Sequence, residues 1–189
     1  MPNRVNIPKE WRAVLADVQF DRALARMSYQ ILERNEDLKS LAIVGIRTGG
    51  EILGKRVVSH IEQISGVKLP FGVIDISLYR DDIANADESP VLQAVELDFP
   101  ISGTTIVMVD DVLYTGRTVR AALDAIIDFG RPSQVQLAVM VDRGFHEFPI
   151  QPDYTGLQLK TEKSDFVRIR MKEQGVARDA VYVCNSRHQ

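Results

Sequence analysis

Ile106-Val107-Met108-Val109-Asp110-Asp111-Val112-Leu113-Tyr114-Thr115-Gly116-Arg117-Thr118 joins an apolar run to a pair of carboxylates and then to a small, hydroxyl-bearing loop. The run is rich in β-branched residues and too short for an ordinary helix, so it reads as a strand buried in a parallel sheet. Beyond the loop, Ala121, Leu123, Ala125, Ile126 and Ile127 continue at helical spacing, which sets Thr115-Gly116-Arg117-Thr118 at the mouth of a helix. Amides in a first helical turn lack intrahelical partners and can hold a phosphate. Two neighbouring carboxylates can accept hydrogen bonds from two neighbouring ribose hydroxyls. The stretch therefore predicts a cradle for a sugar phosphate on one strand-to-helix turn.

Outward from this strand the alternation repeats. Residues 21–34 carry Leu24, Met27, Ile31 and Leu32 at the spacing of an amphipathic helix. Leu41–Ile46 is a short apolar strand that delivers the chain to Arg47-Thr48-Gly49-Gly50. Ile52, Leu53, Val57, Val58, Ile61 and Ile64 then give a second helix, ended by Ser65-Gly66, and residues 71–78 read as a strand. Residues 81–89 are polar, acidic and without periodicity, as suits a long excursion. Residues 105–109 return to the sheet, the helix after the loop ends near Gly130, and residues 135–141 form another apolar run. The expected fold is α/β, with a central, mostly parallel sheet flanked by helices. Past Asp142 the texture changes: Pro149, Pro152 and Gly156 space out polar residues before two short strands at 166–171 and 180–184, which predict a small lobe. Residues 144–161 show no periodicity that assigns them, and residues 2–16 carry no motif.

At 189 residues the chain suits one domain with an appended lobe. With 45% hydrophobic and 26% charged residues it has the makings of a packed core, not of a disordered chain. A net charge of −3 gives no global attraction for nucleic acid, so RNA binding needs a local basic patch. No basic, apolar leader opens the chain and no apolar stretch approaches the roughly 20 residues that span a bilayer, so a cytoplasmic protein without membrane partners is expected. Cys184 is the only cysteine, which excludes an intrachain disulfide and thiolate clusters. His60, His146 and His188 have no metal-ligand spacing, and Trp11 and Tyr29 read as core or interface residues.

Three further motifs lie at strand ends. Arg47-Thr48-Gly49-Gly50 separates a buried strand from a helix start, where backbone amides can face an anion at the edge of the sheet. Gly49 to Lys55 nearly spells a Walker A loop, but Arg56 stands where a hydroxyl should reach magnesium and Glu51 would sit among the phosphates, so a nucleotide triphosphatase is rejected. Leu78-Tyr79-Arg80-Asp81-Asp82 brings an arginine to the base of the polar excursion, from which it could swing over a leaving group. Val141-Asp142-Arg143-Gly144 closes the last long apolar run.

The apolar strand, acidic pair and Thr-Gly loop resemble, at every position, the phosphoribosyl diphosphate motif of type I phosphoribosyltransferases. Val109-Asp110-Asp111-Val112-Leu113-Tyr114-Thr115-Gly116-Arg117-Thr118-Val119-Arg120 is similar more narrowly to the pyrimidine operon attenuators that are also uracil phosphoribosyltransferases. The resemblance covers most of residues 21–156 and weakens beyond. It implies a single phosphoribosyltransferase domain over residues 1–189, with a hood-like region at about 143–189 over the nucleobase. The implied reaction joins uracil to phosphoribosyl diphosphate and releases uridine monophosphate (UMP) and diphosphate. By the same resemblance Asp110, Asp111 and Arg80 are catalytic, and Leu113, Tyr114, Thr115, Gly116, Arg117 and Thr118 hold the 5′-phosphate. Arg47, Thr48 and Gly49 face the diphosphate, with a cis peptide at Arg47-Thr48, and Asp142 and Arg143 lie on the base side. The resemblance further implies Mg2+, carried in with phosphoribosyl diphosphate and reaching Asp110 and Asp111 through water. UMP and UTP are further implied ligands, and a homodimer or higher homo-oligomer the implied assembly.

The chain also departs from that family. Thr48-Gly49-Gly50 stands where Thr-Arg-Gly is usual, which removes one charge facing the diphosphate. Phe145-His146-Glu147-Phe148-Pro149-Ile150-Gln151 replaces His-Arg-Glu-Leu-Pro-Ile-Arg, Gly156-Leu157-Gln158 replaces Gly-Lys-Asn, and Tyr29 replaces a histidine. These positions belong to the family's presumed RNA face, where phosphate contacts depend on cations. Tyr29 and Phe145 can still stack on bases. The expectation is an enzyme, alone or with weakened regulation, over a working RNA-binding attenuator that senses uridine nucleotides. A transferase for another base, such as a purine, is the remaining alternative.

Overall fold

A computed structural model describes residues 7–76 and 95–185. Arg80, with the rest of its motif, the whole polar excursion and His188 lie outside the described residues. Chain order begins with β1 (Arg12–Ala16), α1 (Val18–Arg34), β2 (Leu41–Ile46), α2 (Gly49–Ser65), β3 (Phe71–Ile74) and β4 (Val95–Glu96). It continues with β5 (Thr105–Leu113), α3 (Arg117–Phe129), β6 (Gln134–Asp142), β7 (Tyr154–Gln158), β8 (Asp165–Arg170) and β9 (Ala180–Asn185). Among these residues the main sheet has the order β4-β3-β2-β5-β6-β7. Its strands run parallel except β4, which is antiparallel to β3 at the edge.

The period of two along each strand divides the core. Leu41, Ile43, Val107, Val109, Ala138 and Met140 face α1 and α2, burying Leu24, Met27, Ile31, Leu53, Val57 and Ile61. Val44, Ile46, Ile106, Met108, Leu137 and Val139 face the other way, onto Val119, Ala122, Ala125 and Ile126 of α3. Helices on both faces explain why these strands read as continuous apolar runs. No described helix is long and apolar enough to cross a membrane.

The lobe is a second sheet of order β1-β9-β8, antiparallel throughout. Its composition refines the expected hood at about 143–189 in two ways. The unassigned stretch 144–161 yields β7, which pairs with β6 in the main sheet, and the motif-free amino-terminal stretch supplies β1 to the lobe. Tyr154 anchors β7 by donating its hydroxyl to Gln136 Oε1 at 2.6 Å. Trp11 packs over the lobe, its ring 5.9 Å from that of Tyr182. Tyr29, by contrast, is 53% exposed on α1 and lies outside the core.

Element limits also differ from expectation, at α1 and β3 among others. α1 starts three residues early because the Asp17 amide bonds the Asp179 carbonyl at 3.0 Å, a contact from the far end of the chain. β3 ends at Ile74, short of residue 78, and residues 77 and 78 lie outside the described set.

Candidate active site

Three strand ends assemble the site. β5 runs on beyond the apolar residues, so Asp110 and Asp111 lie within the strand near its end and not in the loop. Asp110 is 6% exposed, and its Oδ1 accepts the Asp111 amide at 2.8 Å. Asp111 Oδ1 accepts the Val112 amide at the same 2.8 Å. Each carboxylate is thus oriented by backbone. Burial pushes Asp110 well above the ordinary carboxylate range, and the charge of Asp111 adds to the shift. Burial also raises Asp111, against the pull of the Val112 amide.

The second loop lies directly against this pair. The Arg47-Thr48 peptide is cis, as the resemblance implied. α2 opens at Gly49, and a methyl group there would fall inside the Asp111 carboxylate, so only glycine lets the two loops approach this closely. Thr48 precedes the first turn, with Gly49 and Gly50 buried behind it. The Arg47 side chain turns to carboxylates instead: Glu51 at 3.4 Å, Asp75 at 3.5 Å and Glu96 at 3.1 Å. The Glu96 hydrogen bond, against desolvation, raises its pKa above that of a free arginine.

The third part is the loop into α3. Gly116 caps the helix, and Arg117 and Thr118 form its first turn, as the sequence predicts. Arg117 N–H lies 3.4 Å from Thr115 Oγ1. Leu113 buries its side chain in the α3-facing core and has only backbone to offer. Tyr114 turns toward Phe145, their rings edge to face at 6.0 Å, and lies under the Arg143 guanidinium at 4.1 Å.

Asp142 and Arg143 end β6 side by side but do not pair with each other. Asp142 Oδ1 accepts from the Gly144 amide at 2.9 Å and from His146 Nε2 at 2.8 Å. Arg143 is buried, and its two terminal nitrogens donate to the carbonyls of Asp165 and Glu162 at 2.8 and 3.0 Å. Burial pulls its pKa down. Its guanidinium therefore ties the lobe to the main sheet, while Asp142 faces the segment that follows.

Three residues of the site carried no readable signal. His146 joins Asp142 only because Gly144 and Phe145, at φ 72° and 62°, fold the chain back. Glu147 reaches Arg117 across 30 positions, its Oε2 accepting Nη2–H at 2.6 Å. The charge of Arg168, on β8, adds a small downward pull on the Asp111 carboxyl, although the two are far apart in sequence. Among the described residues no cluster of histidine, cysteine and carboxylate side chains could hold a metal unaided.

The carboxylates closing β5, with the glycine start of α2 packed on them and α3 opening beside them, form the site of a phosphoribosyltransferase. The phosphoribosyl transferase domain model matches residues 10–174, and the chain belongs to that family. Within it the chain belongs to the PyrR family. It is 48% identical over 163 residues to the bifunctional protein PyrR of Brevibacillus brevis, covering 86% of this chain and 91% of that one. It is 50% identical over 155 residues to the Elusimicrobium minutum bifunctional protein PyrR, covering 82% and 87%. Solved structures bear out the fold alone. A hypoxanthine-guanine phosphoribosyltransferase of Bacillus anthracis superposes with a TM-score of 0.68 at 17% identity, over 93% of this chain and 98% of that one. A hypoxanthine phosphoribosyltransferase of Staphylococcus aureus gives 0.65 at 17% identity, over 86% of each.

Proposed function

We propose that this phosphoribosyltransferase takes uracil as its base, making UMP and diphosphate from uracil and phosphoribosyl diphosphate. The observation that carries the reading is the contact of Gly49 with Asp111, which sets a diphosphate loop against a ribose clamp beside an open helix start. The acceptor base is a finer matter, supported by the identity to PyrR proteins and by the Asp142-Arg143-Gly144 wording at the end of β6.

A C–N bond forms at the anomeric carbon as the C–O bond to diphosphate breaks, and positive charge grows on the ribose ring. Such a step needs positioning and charge management more than covalent help. Asp110 and Asp111 hold the ribose hydroxyls and set negative charge beneath the ring. Thr115, Gly116, Arg117 and Thr118 bind the 5′-phosphate through first-turn amides and hydroxyls, and Thr48 and Gly49 present backbone to the diphosphate. Arg47 answers to three carboxylates and steadies that loop. Arg80 is assigned to closure over the leaving group by its motif. Asp142 serves the base side; Arg143 fixes the lobe above it.

The donor set suits Mg2+, a hard cation that keeps its waters: the adjacent carboxylates of Asp110 and Asp111 can accept hydrogen bonds from metal-bound water. Bound with the diphosphate, Mg2+ would neutralise charge on the leaving group.

A second activity is favoured by one observation: the Brevibacillus brevis and Elusimicrobium minutum relatives are named bifunctional. Regulation through RNA would here rest on exposed aromatics, Tyr29 and Phe145, in place of lost cations. UMP and UTP are the nucleotides such a regulator would sense, and a homo-oligomer its natural form. The deciding experiment measures UMP formation from uracil, phosphoribosyl diphosphate and Mg2+, with hypoxanthine, guanine and orotate as competitors. Turnover of uracil alone supports the enzyme; no turnover with any base would make the site a nucleotide sensor and the regulator the leading reading.

A further inference from the structure

Glu147 stands over the phosphate loop without belonging to it. Its amide donates to the Thr115 carbonyl at 2.9 Å, and the Phe148 amide joins at 3.3 Å, so the backbone of this segment is pinned to the start of α3. From that fixed point the Glu147 carboxylate reaches Arg117. Nε and Nη2 of the guanidinium both donate to Oε2, at 3.0 and 2.6 Å. The guanidinium also lies over the Phe148 ring at 5.6 Å. Both side chains remain open to water, at 62% and 50% of their surfaces.

We infer that Glu147 is an internal competitor for the phosphate monoester of the ligand, an inference that rests on the loop Thr115 to Thr118 being a 5′-phosphate site. The edge of Arg117 formed by Nε and Nη2 is the edge with which a guanidinium binds phosphate in a fork, and Glu147 already occupies it. A phosphate held on the loop by amides and hydroxyls can gain the Arg117 side chain as well only by taking that edge from the carboxylate. If Glu147 held on, two anions would lie side by side on one cation. Because the pair is exposed, its release costs little and the exchange is reversible. The exchange acts on substrate and product alike, since both phosphoribosyl diphosphate and UMP bear the 5′-phosphate. Glu147 thus loosens the grip on a group that must also leave after turnover. Uracil carries no phosphate and is untouched. Glu147 is a positioning residue acting through Arg117.

The test titrates the wild-type protein and Glu147→Gln with UMP by calorimetry and measures KM for each substrate. Glu147→Gln is expected to bind UMP about two- to five-fold more tightly, the range set by exposed ion pairs. KM for phosphoribosyl diphosphate should fall by a similar factor while KM for uracil stays in place. In an Arg117→Ala background the effect should vanish. A merely structural role would loosen binding. Unchanged or weaker UMP binding in Glu147→Gln overturns the inference and leaves the enzyme reading intact, because uracil turnover by the wild type is independent of it. Wild-type protein that binds neither UMP nor inorganic phosphate would remove the phosphate-loop assignment, and the inference with it.

Discussion

Asp110 and Asp111 place two acids where burial resists their charge, and this conflict gives the residue scale its predictions. With its pKa raised in the folded state, Asp110 binds a proton that the unfolded chain has already lost at the same pH. Stability therefore falls as pH rises from the unfolded value, about 4, towards the folded one. Asp110→Asn removes that penalty. Thermal unfolding of the free protein should show the variant melting higher than wild type near neutrality, with the difference closing below about pH 4. A lower melting point at neutral pH would mean that the charged carboxylate is stabilised by partners this geometry does not include. Asp111→Asn should behave differently in kinetics: turnover falls by roughly 100-fold or more, the scale of losing one preorganised electrostatic contact, while the free energy of unfolding changes by about 1 kcal/mol or less. Equal losses in both would sink the ribose-clamp role. This part of the site was legible because its residues are neighbours in sequence. Asp110 to Thr118 needs no long-range contact to be read, whereas Asp142–His146 and Arg117–Glu147 depend on a reversed chain that no periodicity marks.

At the scale of elements, β2 has the limits that its apolar run predicts, and α2 ends at Gly66 as Ser65-Gly66 predicts. Both bury whole faces, so composition alone reveals them. β7 was not legible. Tyr154-Thr155-Gly156-Leu157-Gln158 is five residues long with a glycine at its centre, a pattern that usually marks a weak strand. The glycine is there for space: a methyl group at Gly156 would lie 2.7 Å from the Met140 carbonyl oxygen and 2.8 Å from its sulfur. Arg26 further fixes the strand by donating to the Gly156 carbonyl at 2.5 Å. Gly156→Ala should therefore destabilise by about 1–3 kcal/mol, the cost of overpacking a filled core. Urea unfolding at neutral pH measures it, and a variant as stable as wild type would show that β7 can move off β6. β1 escaped notice for another reason. Its pairing with β9 carries a register shift between Ala13 and Leu15, so the alternation that identifies a strand is broken within five residues.

On the scale of the molecule, the lobe is held to the main sheet by charged side chains as well as apolar ones, and that makes its attachment sensitive to acid. Arg56 of α2 grips Asp179 through Nη1 at 2.9 Å and Nη2 at 3.0 Å, and Glu173 through Nε at 2.9 Å and Nη2 at 2.6 Å. Asp179 is 2% exposed, and its Oδ1 also accepts the Lys172 amide at 2.8 Å. Burial alone would raise Asp179; the hydrogen bonds and charge of Arg56, with the Lys172 amide, outweigh it and hold the carboxyl below its ordinary value. Glu173 is lowered first by its hydrogen bond to Arg56. Groups depressed in this way stabilise the fold above their unfolded pKa, and the contribution is lost as pH falls through the folded one. Arg56→Met keeps the length of the side chain and leaves Asp179 buried with only the half-exposed Lys172 ammonium, 3.9 Å away, as a cation. At pH 7 the loss should approach about 3 kcal/mol, the low end for breaking a buried pair, because Lys172 remains. As pH drops below about 4 the wild type loses its advantage while the variant's Asp179 becomes protonated and neutral, so the two stabilities should converge. Denaturant unfolding at pH 7 and in acid tests both the size and the sign. A gap that held constant with pH would assign the role of Arg56 to packing against Phe20, whose ring its guanidinium overlies at 5.9 Å, and not to charge.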